Sequence, residues 1–279
     1  PTAVITAFNF PVAVWSWNAA LALVCGNPVI WKPSELTPLT AIATQALFEQ
    51  AAAGLDVPPN VSQLVLGDGA VGAELVASDG VSIVSATGST AMGRKVAPIV
   101  AARFGRSILE LGGNNAAIIA PSADMELVVR GVTFSAAGTA GQRCTSLRRL
   151  IVHSSRLDEV TTRLTKAFAS LPVGSPLDAG TLVGPLITTK AMSQMNEALD
   201  SARTQGGTVV VGGERHLAGE APDAAYMRPA IVSMPGQSEI VHTETFAPIL
   251  YVMAFNEFDE AVQLHNEVPQ GLASSIFTT

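Results

Sequence analysis

Over its first 112 residues the chain alternates short β-branched or apolar runs with alanine-rich stretches of helical length, and that alternation leaves few folds open. The runs predict strands over Val4–Phe8, Val29–Trp31, Gln63–Leu66, Val81–Ser85 and Ser107–Leu111. Between them the pattern predicts helices over Trp15–Val24, Leu39–Ala53, Val71–Ala77 and Ser89–Ala102, several opened by Pro, Ser or Thr at cap-like positions. Strand, helix and strand in repeated order imply a doubly wound parallel sheet. After Gly112-Gly113 the pattern resumes, with predicted strands at Ala116–Ala120, Leu150–His153, Thr208–Val211 and Ser274–Thr279. Helices are predicted there over Met125–Ala136, Leu157–Leu171 and Thr189–Gln205, with loop-like stretches at 172–185 and 219–229. The expectation is an α/β chain of two domains, 1–112 and 113–279.

Sixteen basic and 23 acidic groups give a net charge of −7, which argues against a surface built to attract phosphate, so no nucleic-acid partner is expected. With 48% hydrophobic and 14% charged residues the chain is too apolar for disorder. The most apolar stretch, Phe10 to Trp31, is broken by Ser16, Asn18 and Gly26-Asn27-Pro28, so no membrane span is expected. Cys25 and Cys144 form neither a disulfide framework nor a zinc-ligand spacing, and the four histidines stand singly. No metal is expected, and a reducing, cytoplasmic setting fits. Pro1 leads straight into an apolar run without the order of a targeting segment, and a strand closes the chain, so both ends read as truncated.

Cys144 lies in Gly138-Thr139-Ala140-Gly141-Gln142-Arg143-Cys144-Thr145-Ser146, a glycine-rich turn with a cation beside the thiol. A neighbouring positive charge favours a nucleophilic thiolate. The competing reading is a small buried hydrophobe, which is also the reading for Cys25. Glu110 interrupts an apolar strand end before Gly112-Gly113, where a carboxylate is expected to be buried and basic, or else satisfied by backbone donors of the turn. Gly88-Ser89-Thr90-Ala91-Met92-Gly93 follows a strand and opens a helix, a place where backbone N–H groups can receive a phosphate. It matches neither common nucleotide fingerprint, and a plain turn is the alternative. Lys32 and Glu35 follow the second strand, where such folds commonly bind ribose, with a surface turn as the other reading. Arg148-Arg149 reads as structural or interface charge.

Taken in order, Phe8-Asn9-Phe10-Pro11, Trp31-Lys32-Pro33-Ser34-Glu35, Gly88-Ser89-Thr90, Glu110-Leu111-Gly112-Gly113, Gly141-Gln142-Arg143-Cys144 and Glu244-Thr245-Phe246-Ala247-Pro248 resemble the aldehyde dehydrogenase superfamily along the whole chain. Phe104-Gly105-Arg106-Ser107, Asn114-Asn115 and His242 to Tyr251 look like its antiquitin-type branch, which oxidises α-aminoadipate semialdehyde in lysine catabolism. Trp31 to Glu35 looks more like bacterial members of that branch. Ser146 stands where the wider family often has Gly or Ala.

The resemblance implies a Rossmann-like coenzyme domain followed by a catalytic domain. It implies Cys144 as nucleophile, Asn9 and the Cys144 N–H as oxyanion donors, and Glu110 as the base that activates water against the thioester. It further implies NAD as hydride acceptor, contacted through Lys32, Glu35, Gly88, Ser89, Gly93, Leu111, Glu244 and Phe246. A carboxylate at Glu35 accepts the ribose 2′-hydroxyl and repels a 2′-phosphate. Arg143 is a candidate anchor for a substrate carboxylate, with support of the thiolate as its other role. A small aldehyde substrate and a homo-oligomer, dimer or tetramer, are implied as partners. The rivals are a CoA-acylating relative, against which Glu110 argues, and a catalytically silent NAD-binding or structural protein.

Overall fold

A computed structural model describes all of residues 1–279 and divides into two compact units, Pro1–Leu111 and Gly112–Thr279. In the first, strands β1 (Thr2–Ile5), β2 (Val29–Lys32), β3 (Ser62–Leu64), β4 (Ile83–Thr87) and β5 (Arg106–Glu110) alternate with helices α1 (Ala13–Val24), α2 (Pro38–Ala52), α3 (Gly69–Ala77) and α4 (Thr90–Ala102). The strands form one parallel sheet in the order β3-β2-β1-β4-β5. The winding reverses between β1 and β4, the place where open α/β sheets leave a crevice at their carboxyl ends.

Alternate strand residues feed two cores. Ala3, Val84 and Ala86 pack with Val76, Val96 and Val100 of α3 and α4, whereas Val4, Val29 and Trp31 pack with Trp15, Ala19 and Ala41 of α1 and α2. Trp15 stacks on the fully buried Trp31 at 4.9 Å, and Trp31 Nε1 donates to Thr6 Oγ1 at 2.9 Å. That bond satisfies a buried indole N–H; the strand itself ends at Ile5, so Phe8 falls in the turn that follows. Similarly, Val81 belongs to the turn before β4, its N–H donating to Ser78 O at 3.1 Å.

The second unit contains β6 (Asn115–Ile119), α5 (Met125–Ala137), β7 (Leu147–His153), α6 (Leu157–Ala169), α7 (Thr189–Thr204), β8 (Thr208–Val211), β9 (Ala230–Ser233), α8 (Glu239–His242), β10 (Ile249–Phe255), α9 (Phe258–Asn266) and β11 (Ser274–Phe277). Its sheet runs β11-β6-β7-β10-β9-β8, parallel throughout except for the antiparallel β8–β9 pair. Ala116, Ile118, Ile151 and Met253 face a core with α7, while Ala117, Ile119, Leu150 and Val252 face one with α5 and α6. Sequence reading assigns no element to β9, β10 or α9. In β10 both faces are buried, so Ile-Leu-Tyr-Val-Met-Ala-Phe shows no alternation to read.

Two expectations of burial are overturned. Cys25 is exposed, because α1 ends at Val24 and the chain turns at Gly26, whose φ is +73°. Glu110 is exposed, because β5 is the edge strand of its sheet and most of its residues face outward. No helix is long and apolar enough to cross a membrane.

Candidate active site

In the first unit the residues singled out from the sequence stand at the carboxyl ends of parallel strands. Asn9 lies in the turn after β1, Lys32 ends β2, Gly88 and Ser89 follow β4, and Glu110 ends β5. Lys32 is buried rather than part of a surface turn, and its Nζ reaches Oε2 of the exposed Glu35 at 3.3 Å. Ser89 caps α4, its Oγ accepting from Met92 N–H at 3.1 Å. Gly88 N–H donates to Glu110 O at 3.0 Å, tying the start of α4 to the end of β5. A Cβ at Gly93 would lie 2.6 Å from Leu111 Cδ1, so the absence of a side chain lets the first turn of α4 pack on the end of the β5 segment.

The second unit carries the thiol loop. After α5 the chain makes a tight turn in which Thr139, Ala140 and Gly141 all have left-handed backbone, with φ of 55°, 51° and 66°. Such a conformation costs a residue with a Cβ roughly 1–2 kcal/mol, so surrounding bonds must hold it. Gln142 supplies two: its Nε2 donates to Thr139 O at 3.3 Å, and its Oε1 accepts from Ile187 N–H at 2.9 Å. A Cβ at Gly141 would lie 2.5 Å from the Ala247–Pro248 backbone, which places the Glu244–Pro248 segment directly on the turn.

Cys144 is half-buried. Asn115, at the head of β6, donates through Nδ2 to Cys144 O and Ser146 O, both at 2.8 Å, and accepts from Ala273 N–H at 3.0 Å. Gly113 permits that approach, since a Cβ there would come within 2.6 Å of Cys144 O. Ser146, buried, accepts from Arg143 N–H at 3.2 Å through Oγ. The Arg143 Nε donates to Thr139 Oγ1 at 2.7 Å, and its guanidinium lies 5.3 Å from the centre of the Phe134 ring.

A second cation is buried beneath this loop. Arg148 donates to Thr245 O at 2.7 Å, Ala247 O at 3.3 Å, and Gly141 O and Arg143 O at 3.2 Å each. It pairs with Glu244 Oε1 at 3.5 Å and lies over the Phe246 ring at 5.4 Å. Burial lowers its pKa, opposed by Glu244 and then by Cys144 and Tyr251. Glu244 also accepts from Gly113 N–H at 3.2 Å, and a Cβ at Gly112 would strike its carboxylate. Burial raises the Glu244 carboxyl above the usual carboxylate range, with Arg148 and the Gly113 N–H pulling it back. Burial also pushes the Tyr251 hydroxyl up to about 12. Arg149 points to other partners, Asn114 O, Gln237 Oε1, Leu264 O and His265 O, and burial lowers it to about 10.

Thus Cys144, Arg143, Glu244 and Phe246 are gathered around Arg148, while Lys32 with Glu35, Gly93 with Leu111, and Gly88 with Glu110 are gathered in the other unit. Arg148 and Asn115 are the residues that sequence reading passes over as machinery. The available signal is an arginine pair flanked by Leu147, Leu150, Ile151 and Val152 in a buried strand, where a charge must find partners.

The sequence model described as "Aldehyde dehydrogenase family" matches residues 1–279. A putative aldehyde dehydrogenase family 7 member A1 homolog of Dictyostelium discoideum is 45% identical over 276 residues, 99% of this chain and 54% of that protein. The alpha-aminoadipic semialdehyde dehydrogenase of Bos taurus is 47% identical over 276 residues, 99% of this chain and 50% of that protein. The chain therefore spans about half the length of the curated relatives it matches. Among solved structures, betaine aldehyde dehydrogenase of Staphylococcus aureus in complex with NAD+ superposes with a TM-score of 0.95 at 32% identity, covering 100% of this chain and 55% of that one.

Proposed function

The chain belongs to the aldehyde dehydrogenase family, and on that premise we propose that it carries the nucleophile and cofactor site of an NAD-dependent enzyme oxidising α-aminoadipate semialdehyde to the carboxylate. The observation that carries the reading is the thiol loop: a half-buried cysteine on a backbone held from several sides, beside a buried arginine and a half-buried carboxylate. The relatives named for this semialdehyde support the substrate.

The residues fit a dinucleotide. The strand order, the reversal between β1 and β4, and the amino end of α4 at Ser89 are the features such a ligand uses. Lys32 and Glu35 would hold the adenosine ribose and Gly88 and Ser89 the pyrophosphate, with Gly93 and Leu111 shaping the turn. Ser89 Oγ accepts from Met92 N–H and so keeps its own proton to donate. Glu244 would hold the nicotinamide ribose, with Phe246 packing nearby. When bound, NAD supplies the acceptor for the two electrons removed from the aldehyde.

The chain's own residues do the rest. The Cys144 thiolate adds to the aldehyde carbon, forming a C–S bond, while the Asn9 amide and the Cys144 N–H receive the oxygen as it becomes negative; one such donor is worth about 3 kcal/mol. After oxidation the acyl group is a thioester on Cys144. Glu110 takes a proton from water, the oxygen attacks the acyl carbon, and the C–S bond breaks to release the acid and restore the thiolate. Arg143 receives the substrate's carboxylate. We place the protein in the cytoplasm, in keeping with its two unpaired cysteines, and as a homo-oligomer, a reading supported by the exposed apolar residues Trp17, Leu21 and Val24 of α1.

The test follows NADH absorbance with aminoadipate semialdehyde against simple aliphatic aldehydes. Turnover dependent on Cys144 and Glu110 and favouring the acidic substrate is expected. Equal rates defeat the substrate assignment, and a thioester that persists until CoA is added defeats the hydrolytic one.

A further inference from the structure

Arg148 stands at the head of β7 and is 2% exposed. One terminal nitrogen serves the thiol loop, donating to Gly141 O and Arg143 O, and lies 3.5 Å from the Glu244 carboxylate. The other serves the segment that follows Glu244, donating to Thr245 O and Ala247 O. Neutralising a buried guanidinium needs one carboxylate, which Glu244 already provides. The four carbonyls go beyond that, and they belong to two segments about a hundred residues apart in sequence. An apolar side chain would fill the same volume without desolvating a charge, yet could not join the two segments.

We propose that Arg148 is a positioning residue that locks the Cys144 loop to the Glu244–Ala247 segment, giving the thiol and the ribose-facing carboxylate one shared point of reference. The proposal rests on the roles given above to Cys144 and Glu244. Lysine cannot replace the fork, because an ammonium is a point charge with three donors and no planar spread. It can, however, keep a charge beside Glu244. The two functions of Arg148 are therefore separable.

The experiment compares Arg148→Lys and Arg148→Gln with the parent in the protein as its gene encodes it, each rate normalised to the fraction of titratable Cys144. For Arg148→Lys, kcat falls by about tenfold to a hundredfold, the scale of a misplaced reacting group, while the KM for NAD stays within about threefold. Arg148→Gln loses kcat similarly and in addition raises the KM for NAD. A residue that only stabilises the fold would lower the amount of active protein and leave both normalised constants unchanged, which overturns the proposal. Where neither variant folds, hydrogen exchange of the unaltered protein decides. One lock predicts that amides of residues 141–146 and of Thr245, Phe246, Ala247 and Ile249 open with the same free energy, and separate openings overturn it. Absence of Cys144-dependent NADH formation in the unaltered protein instead defeats the underlying reading, so the two failures are distinct.

Discussion

Gly141→Ala puts the packing of the thiol loop to a quantitative test when paired with Gly26→Ala. Both glycines have left-handed backbone, φ +66° and +73°, so an alanine at either site meets the same conformational penalty of roughly 1–2 kcal/mol. Their surroundings differ. At Gly26 nothing lies within 4 Å of the new Cβ, whereas at Gly141 it meets Ala247 and Pro248 backbone atoms at 2.5 Å. Ordinary carbon contacts begin near about 3.5 Å, so that backbone must retreat by roughly 1 Å. Arg148 donates to Ala247 O at 3.3 Å, and that bond does not survive such a retreat. A hydrogen bond from a charged group is worth about 1.5–3 kcal/mol. Gly141→Ala should therefore cost about 2.5–5 kcal/mol against about 1–2 for Gly26→Ala, a large part of the roughly 5–15 kcal/mol that holds a typical protein folded. Urea unfolding monitored by far-ultraviolet dichroism gives both values, and the rate of Cys144 alkylation reports the loop directly. Equal losses at the two sites, or an unchanged alkylation rate in Gly141→Ala, would refute the packing argument.

Asn115→Ala removes the donor to Cys144 O and Ser146 O and the acceptor for Ala273 N–H, and should destabilise by about 2–4 kcal/mol in the same unfolding assay; a loss under about half a kcal/mol counts against that anchor. Glu244→Gln should flatten one component of the pH profile. The folded state binds the Glu244 proton more tightly than the unfolded chain, so its contribution is largest below about pH 4.3 and declines as pH rises through the folded pKa. The melting temperature of Glu244→Gln relative to the parent should accordingly climb over that rise, and a fall would reverse the sign. Phe104, 96% exposed at φ 57°, should gain about 1 kcal/mol on replacement by Asn, seen as a rise of roughly 2–4 °C in melting temperature; no rise defeats the strain argument. Glu35→Gln should improve use of NADP relative to NAD, and an unchanged ratio of kcat/KM values counts against the ribose contact.

The first unit was legible because its parallel strands are short, mostly β-branched or apolar, and each is separated from the next by one helix. What misled was the environment of individual positions. Glu110 follows an apolar run that reads as a buried strand, but β5 lies at a sheet edge, and edge position depends on strand order rather than on local pattern. Cys25 follows the apolar residues of α1, yet Trp17, Leu21 and Val24 are themselves exposed, so apolar composition says little about burial on that helix. In the second unit β10 carries no assignment although β6 and β7, equally buried on both faces, do; an all-apolar run has no period that tells a buried strand from a buried helix, and only flanking turns can decide it. The candidate residues of the site were read from motifs. Arg148 and Asn115 are not read as part of it, because Thr245 and Ala247, which Arg148 joins to its own loop, and Cys144, which Asn115 holds, lie far away in sequence, and no local spacing encodes such bonds.

The two units hold their chemically important groups by different means. In Pro1–Leu111 the loops after β2, β4 and β5 are placed by the sheet, and single features such as the Ser89 cap or the Gly93–Leu111 contact adjust them. A ligand held through backbone N–H groups at parallel strand ends can settle by about a few tenths of an ångström with little penalty, a latitude the roles proposed for Asn9 and Glu110 in the same unit do not share. A nucleophile has no such latitude, because reactivity depends steeply on the distance and angle of attack. The thiol loop accordingly uses a left-handed turn that would not persist alone, bound by Gln142, Asn115 and a buried arginine. Each of these desolvates a polar group, which hydrophobic packing would have avoided. Three polar side chains thus converge on the turn that leads into Cys144, which holds it in one conformation rather than merely burying it.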